Sequence, residues 1–144
     1  MSDTPPPPLE RLKKRSDFLA AAKGSACAKG AVLVQARARD DGRAAVRVGF
    51  TATRRIGGAV VRNRAKRRMR EAARLTLPIL ASPGCDYVLI ARGGVGTRPW
   101  GALLDDVKSA LIRLAADLGA RRGEASAPLT PPRQEPRSAP DAER

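Results

Sequence analysis

RVGFTATRRIGGAVVRNRAKRRMREAAR (47–74) changes from one periodicity to another near its centre. Its first residues alternate apolar and polar side chains, which is typical of a half-buried strand. Gly57 and Gly58 interrupt this pattern, and small or apolar side chains then recur at helical spacing. In residues 62–74, seven of the thirteen side chains are Arg or Lys and only Glu71 is acidic. The stretch therefore predicts a strand, a turn and a strongly basic helix.

The predicted basic helix, residues 59–76, has two faces of different chemistry. At about 100° per residue, one narrow stripe holds Val61, Ala65, Met69, Ala72 and Thr76. The opposite side carries Asn63, Lys66, Arg67, Arg70 and Arg74, with Arg62 and Arg64 at its edges. We expect Arg68 to snorkel or to pair with an acid, and Glu71 to pair with Arg67 or Arg68. Like charges four residues apart destabilise a helix by roughly 0.2–0.5 kcal/mol per pair, and a polyanion would relieve that repulsion.

Upstream of this stretch, the sequence predicts one helix and one further strand. Residues 16–24 have the composition of a short helix that Ser16 caps and Gly24 ends. Residues 31–37 are rich in Val and predict a strand, and an Asp-Asp-Gly turn separates them from the strand at 44–53. We expect these two strands to pair with each other.

Downstream, the sequence predicts a strand and a final helix. Pro78 is expected to stop the basic helix, and the apolar run 86–92 indicates an inner strand. Pro99 opens the last helix and Gly119 suits its C-cap. The buried stripe of that helix is predicted to be Leu104, Val107, Leu111, Leu114 and Leu118. The order α-β-β-α-β-α, with room for one extra short strand, predicts an α+β fold, a two-layer sandwich in which helices pack on a small sheet.

The net charge of +14 and the pI near 11.4 predict a polyanionic partner. Nucleic acid is the first candidate and an acidic membrane surface the second. Residues 1–8 and 120–144 are rich in proline and lack apolar periodicity, so we expect both ends to be disordered. These ends contain five basic and five acidic residues, so the whole excess charge lies in the expected folded domain, residues 9–119. The charge therefore belongs to a folded surface and not to a flexible arm.

Several classes of protein are disfavoured by what the sequence lacks. The chain contains no His, the usual general base and metal ligand. Cys27 and Cys85 match no metal motif, and the adjacent Asp105 and Asp106 point about 100° apart on a helix. We therefore expect no catalytic and no metal-binding side chain. Without an apolar run of roughly 18 residues or a signal-like N-terminus, we expect a cytoplasmic protein with no membrane partner and no small-molecule substrate.

Residues 47–74 closely resemble the signature of the protein subunit of bacterial ribonuclease P. RLKKRSDFLAAAKG (11–24) and DYVLIAR (86–92) are similar to the opening segment and a later strand of that family, so the likeness spans roughly 11–118. The resemblance implies a left-handed βαβ crossover through the basic helix, an exception to the right-handed rule. It also implies two partners, the ribonuclease P RNA subunit and precursor tRNA, whose 5′ leader is removed. The RNA is then expected to carry out the hydrolysis with bound Mg²⁺, and no organic cofactor is expected.

By position, the resemblance assigns two groups of residues. Those expected to bind RNA are Arg54, Arg55, Arg62, Asn63, Arg64, Lys66, Arg67 and Arg70, and Arg74 continues the same face. Those expected in the cleft that holds the leader are Phe18, Lys13 and Lys14, with core packing as the alternative role of Phe18. Three positions depart from the family pattern. Gly58 replaces an Asn, so any contact from that side chain is absent. Aromatic residues expected near Ala22 and Val34 are missing, so stacking on the leader is expected to be weaker here.

Three other functions would also explain the cluster of basic residues. A ribosomal-type binder of structured RNA would carry the same charge without a role in processing. A DNA-binding helix fits poorly, because the Gly-Gly entry and the following strand differ from a helix-turn-helix. A stand-alone nuclease would have to use Asp86, Asp105 or Asp106. For Trp100 and Tyr87, packing is the expected role.

Overall fold

The computed structural model describes residues 8–126, and the side chains as far as Leu118. The strands are β1 (Leu9–Arg11), β2 (Ser25–Lys29), β3 (Val32–Ala38), β4 (Val46–Thr51) and β5 (Cys85–Ala91). The helices are α1 (Arg15–Ala22), α2 (Ala59–Leu80) and α3 (Trp100–Ser126), with a 3-10 turn at Arg54–Ile56. The α+β class is confirmed. The sequence allowed one extra short strand, and the described residues contain two, β1 and β2.

The five strands form one mixed sheet in the order β1-β4-β5-β3-β2. β5 is confirmed as an inner strand, parallel to β4 and antiparallel to β3. The predicted pairing of strand 44–53 with strand 31–37 is wrong, because β5 lies between β4 and β3. Adjacent parallel strands need a crossover connection, and α2 supplies it between β4 and β5. The left hand of this crossover stays a prediction.

Helices α2 and α3 pack on one face of the sheet and form the main apolar core with it. Ala65, Met69 and Ala72 are fully buried there, which confirms most of the predicted stripe of α2. The small side chains of Ala65 and Ala72 and the larger one of Met69 fill the space between α2 and the rest of the main core. Val61 was expected in the same stripe but is 41 % exposed, and its side chain lies next to Gly57 in the turn before the helix.

The two long helices continue past their predicted ends. Pro78 lies inside α2, near its end, where a proline removes a single backbone hydrogen bond of the last turn. Gly119 lies inside α3, which continues to Ser126, so Gly119 is not the C-cap. The predicted stripe of α3 is buried except for Leu104, which is half-buried next to the fully buried Leu103.

The predicted disordered ends lie largely outside the described residues. Residues 1–7 and 127–144 are not described, so their disorder stays a prediction. Residues 120–126, which were assigned to the C-terminal tail, belong to α3. Between residues 8 and 126, none of the helices has the length and apolar character that crossing a membrane requires.

Helix α1 lies on the opposite face of the sheet. No side chain caps its N-terminus, so the predicted cap by Ser16 is wrong. Phe18 and Ala21 of α1 pack with Leu12 and Val88 in a second, smaller apolar cluster. The sheet therefore has helices on both faces, with the main core on the side of α2 and α3.

Gly49 of β4 is expected to tolerate no side chain. A Cβ atom on Gly49 would lie 2.5 Å from two ring carbons of Phe18 and 3.2 Å from the Cβ of Leu12. Gly49→Ala should therefore displace Phe18 and lower the free energy of unfolding by about 1–3 kcal/mol, measured by urea unfolding. Gly101→Ala is the matched control, because its Cβ would meet nothing within 4 Å and Ala is favoured in a helix. Equal stability of the two variants would contradict the close contact.

Candidate nucleic-acid interface

The outer face of α2 and the turn before it present the predicted RNA-binding residues together. The buried positions of α2 fix the helix on the sheet, so the positions between them point outward. Exposed side chains are Arg54, Arg55, Asn63, Arg64, Arg67, Arg70 and Arg74, and half-buried ones are Arg62 and Lys66. We call these nine residues the basic surface.

Six cations of the basic surface have no side-chain hydrogen bond or ion pair to another described residue. They are Arg54, Arg55, Arg62, Lys66, Arg67 and Arg70. Lys66 and Arg70 are four residues apart on α2, so their charges repel each other in the free protein. A polyanion would replace this repulsion by attraction, and the planar guanidinium group suits bidentate contact with phosphate.

The two remaining cations of the basic surface are held by neighbours. Arg64 donates from Nε to the carbonyl oxygen of Gly96 at 2.9 Å, which fixes it against the loop before α3. Arg74 pairs with Glu71, three residues earlier on α2, and its hydrogen bond lowers the pKa of Glu71. The predicted pairing of Glu71 with an arginine that precedes it is therefore wrong.

Arg68 is turned inward and does not belong to the basic surface. Its Nη1 and Nη2 donate to the carbonyl oxygens of Val95 and Arg98, both at 2.6 Å. Its guanidinium carbon lies 5.8 Å from the centre of the Trp100 ring. Arg68 was expected to snorkel or to pair with an acid, but its guanidinium group donates hydrogen bonds to carbonyl oxygens instead. It thereby ties α2 to the start of α3.

A smaller groove, of about 340 Å³, lies between β1 and α1. Its lining residues are Glu10, Arg11, Lys13, Lys14, Asp17 and Arg47. Lys13 and Lys14, two of the predicted leader-binding residues, are exposed here. Phe18 is half-buried in the apolar cluster under α1, which agrees with its alternative role in packing. The structure thus places Lys13 and Lys14 in this groove, whereas Phe18 is not among its lining residues.

A buried carboxylate fixes the sheet beneath this groove. Asp86 of β5, 0 % exposed, lies between Arg37 of β3 and Arg47 of β4 in the strand register. It accepts from Arg47 Nε and Nη2, both at 2.7 Å, and from Arg39 Nη1 at 2.9 Å. Burial raises the pKa of Asp86, but the guanidinium groups outweigh it and hold the pKa below its ordinary value. Asp17 of α1 also reaches Arg47, at 3.3 Å, so the network ties α1 to the sheet.

The carboxylates proposed for a stand-alone nuclease do not converge. Asp86 is surrounded by arginines, and Asp106 accepts from Arg98 at 3.0 Å and from the backbone N–H of Ala31 at 3.2 Å. Asp105 is exposed, whereas Asp106 is buried. Between residues 8 and 126 there is no group of three His, Cys, Asp or Glu side chains that could hold a metal ion. The nuclease interpretation therefore has no site among these residues.

Sequence comparison decides between the interpretations that remain. The sequence model of the family described as Ribonuclease P matches residues 7–115. The chain belongs to this family.

Individual relatives agree with that assignment. The chain is 68 % identical over 110 residues to the ribonuclease P protein component of Caulobacter vibrioides (strain NA1000 / CB15N), covering 76 % of this chain and 74 % of the relative. It is 55 % identical over 107 residues to that of Ruegeria pomeroyi, covering 73 % and 86 %. The solved ribonuclease P protein from Thermotoga maritima matches with a TM-score of 0.62 and 28 % identity, covering 72 % of this chain and 96 % of that one.

Membership of the ribonuclease P family confirms the resemblance found in residues 47–74. It associates the chain with an endoribonuclease complex, with tRNA processing and with RNA binding. It also favours this interpretation over the ribosomal-type and DNA-binding alternatives. The parallel β4–β5 pair joined by α2 is the part of the ribonuclease P fold that carries the basic surface.

Two features of the site were not predicted from the sequence, the Asp86 network and the contact of Arg68 with Trp100. The signal for the first was an acid at the start of an apolar strand, with Arg37 and Arg39 at the end of a second strand and Arg47 in a third. That signal becomes specific only once the strand order is known. Tyr87, by contrast, is fully buried as expected, and its hydroxyl accepts from the backbone N–H of Ser82 at 2.9 Å.

Proposed function

We propose that this chain is the protein component of a ribonuclease P ribonucleoprotein. In that complex it binds the RNA subunit and the 5′ leader of precursor tRNA, and it promotes the endonucleolytic cut that gives the mature 5′ end. Family membership and the 68 % identity to a ribonuclease P protein component support the proposal. The observation that carries it is the basic surface, where six cations have no partner among the described residues.

The basic surface is the proposed contact with the RNA subunit. Because the buried face of α2 fixes the helix in the main core, the backbone positions of its outward cations keep a fixed spacing when phosphates bind. A flexible basic segment would have to become ordered on binding RNA, which costs free energy. The rigid helix therefore suits a folded RNA surface of defined shape.

The groove beside α1 is the proposed contact with the leader. Lys13 and Lys14 are exposed there and supply positive charge. Phe18 packs mainly against Leu12 and Val88, and further aromatic residues are missing from the expected positions. We therefore propose that charge, more than base stacking, holds the leader in this protein.

Hydrolysis is assigned to the RNA subunit in this proposal, with Mg²⁺ held mainly by that RNA. The described carboxylates do not fit a protein-held metal, because Asp86 and Asp106 are engaged by arginines. The contribution of the protein is then binding and positioning, in the cytoplasm where precursor tRNA is made.

The decisive experiment is leader cleavage by ribonuclease P RNA at low Mg²⁺, with and without the full-length protein. The proposal expects the protein to raise the cleavage rate, because its cations reduce the repulsion between leader and RNA subunit. Unchanged cleavage on adding protein that is folded by circular dichroism would refute the proposal. A ribosomal-type binder, the alternative, would bind the RNA without changing the rate.

The double variant Arg62→Ala with Arg64→Ala should bind the RNA subunit about tenfold or more weakly, since two charged hydrogen-bond donors are removed. Gel-shift titration at fixed salt measures this. The fold should be retained, because Arg62 has no described side-chain partner and Arg64 bonds one surface carbonyl. Lys108→Ala with Arg113→Ala removes the same charge from exposed positions of α3 and is the control. Loss of the circular dichroism signal in the first variant would argue that these arginines are structural.

A further inference from the structure

A groove of about 630 Å³ lies between α2 and the start of α3. Its lining residues are Arg67, Arg68, Arg70, Glu71, Arg74 and Trp100. This volume is within the roughly 300–1,000 Å³ typical of sites for small ligands. We call it the Trp100 groove, because this residue is its one aromatic lining side chain and is not among the predicted RNA-binding or leader-binding residues.

The indole ring of Trp100 is exposed yet held in a fixed position. Trp100 is the first residue of α3 and is 37 % exposed. Arg68 lies 5.8 Å from the centre of the ring, and two carbonyl oxygens at 2.6 Å fix that arginine in turn. A cation over the face of an aromatic ring is attracted to it, and this attraction helps to hold the indole ring in place. The exposed part of the indole is therefore a preorganised flat surface, with little freedom to lose on stacking.

The charges around the ring favour a nucleotide over an apolar ligand. Arg67 and Arg70 have no described side-chain partner, so both can contact phosphates. Glu71, held by Arg74, is the single acid of the lining. A carboxylate repels phosphate, but it accepts hydrogen bonds from a base amino group or a ribose hydroxyl. The groove thus combines a stacking surface, an acceptor and two free cations.

We propose that the Trp100 groove holds one unpaired nucleotide of the RNA subunit, with its base on Trp100 and the flanking phosphates on Arg67 and Arg70. This inference rests on the proposed function and specifies a contact within it. Paired RNA does not fit the same role, because bases inside a duplex are stacked on each other and present no free face. The occupant is therefore a bulged, looped or terminal nucleotide.

The single tryptophan of the chain gives a direct test. Full-length protein is titrated with ribonuclease P RNA while the fluorescence of Trp100 and its quenching by acrylamide are followed. A base stacked on the indole should change the emission and reduce acrylamide access. A blunt RNA duplex of equal length is the matched probe and should do neither, although the basic surface will bind it.

Variants of Trp100 separate stacking from packing. Trp100→Leu keeps an apolar side chain without a stacking face and should weaken binding of the RNA subunit about 5- to 150-fold. Trp100→Phe keeps an aromatic face and should stay within about threefold of wild type. Neither variant removes a phosphate contact, so the dependence of binding on salt should be unchanged. Arg113→Ala, on an exposed part of α3, is the control for unrelated substitution.

The outcomes distinguish the groove from the function it rests on. If the RNA subunit binds the protein but neither the fluorescence of Trp100 nor its quenching by acrylamide changes, the groove proposal is overturned while the proposed function stands. The same holds if duplex RNA changes the fluorescence equally, or if Trp100→Leu binds like wild type. If the RNA subunit does not bind the protein at all, the proposed function itself fails. The fluorescence measurement uses the unaltered chain, so it decides even where a variant does not fold.

Discussion

Replacing Asp86 by Asn is expected to lower the free energy of unfolding by about 3–5 kcal/mol. Asp86 is fully buried and lies within salt-bridge distance of three arginines. An amide carries no charge, and its NH₂ group would face guanidinium donors. Arg39, whose side chain is 3 % exposed, would keep Asp41 as its remaining acidic partner among the described residues. The large cost arises because removing one member of a buried ion pair leaves the other charge uncompensated.

Thermal unfolding followed by circular dichroism measures this effect. For a domain of this size, the expected loss is on the order of 10–20 °C in melting temperature. Asp105→Asn makes the same chemical change at an exposed position of α3 and should alter stability by no more than about 0.5 kcal/mol. Equal stability of the two variants would show that the Asp86 network contributes nothing to folding.

The Asp86 network also fixes the expected dependence of stability on pH. The pKa of Asp86 in the folded protein lies below its ordinary value of 3.8. Its contribution is therefore complete above that value and is lost as the pH falls through the folded-state pKa. Wild-type stability should fall steeply only below about pH 4, and Asp86→Asn should show a shallower loss in the same range.

Affinity for the ribonuclease P RNA is expected to fall about a thousandfold when salt rises from 50 to 200 mM. Each phosphate neutralised on a duplex contributes about −0.9 to the slope of log affinity against log salt. The six cations without described partners give a slope of about −5 if each contacts one phosphate. Gel-shift titration over this salt range measures the slope.

Substitution of individual cations shows how much each contributes to the slope of log affinity against log salt. Arg67→Ala with Arg70→Ala should make the slope less steep by about two, because each lost phosphate contact removes about one. The control pair Lys108→Ala with Arg113→Ala, outside the basic surface, should leave the slope unchanged. Affinity that is insensitive to salt would contradict an interface made of phosphate contacts.

The elements that could be predicted from the sequence are those whose signal is local. The two faces of α2 follow from helical spacing alone, and Ala65, Met69 and Ala72 are buried as that spacing requires. The strand β5 was identifiable as an inner strand from its continuous apolar run, and it lies at the centre of the sheet. Nothing else in the chain needs to be known for either inference.

The features that sequence could not supply depend on partners distant in the chain. Strands β3 and β4 have no local signal that forbids a hairpin, and only the crossover through α2 inserts β5 between them. The side chain of Arg68 donates hydrogen bonds to carbonyl oxygens of Val95 and Arg98, in the loop before α3. Val61, in the first turn of α2, is exposed although helical periodicity places it in the buried stripe.

Helix α2 both carries the basic surface and connects the two parallel central strands. The spacing of its cations consequently exists only in the folded state, and an RNA that recognises this spacing binds that state selectively. Such a ligand at one hundred times its dissociation constant adds about 2.7 kcal/mol to stability. In the proposed ribonucleoprotein we therefore expect the chain to tolerate core substitutions that would unfold it alone, so that measurements on the isolated protein overstate how harmful those substitutions are in the cell.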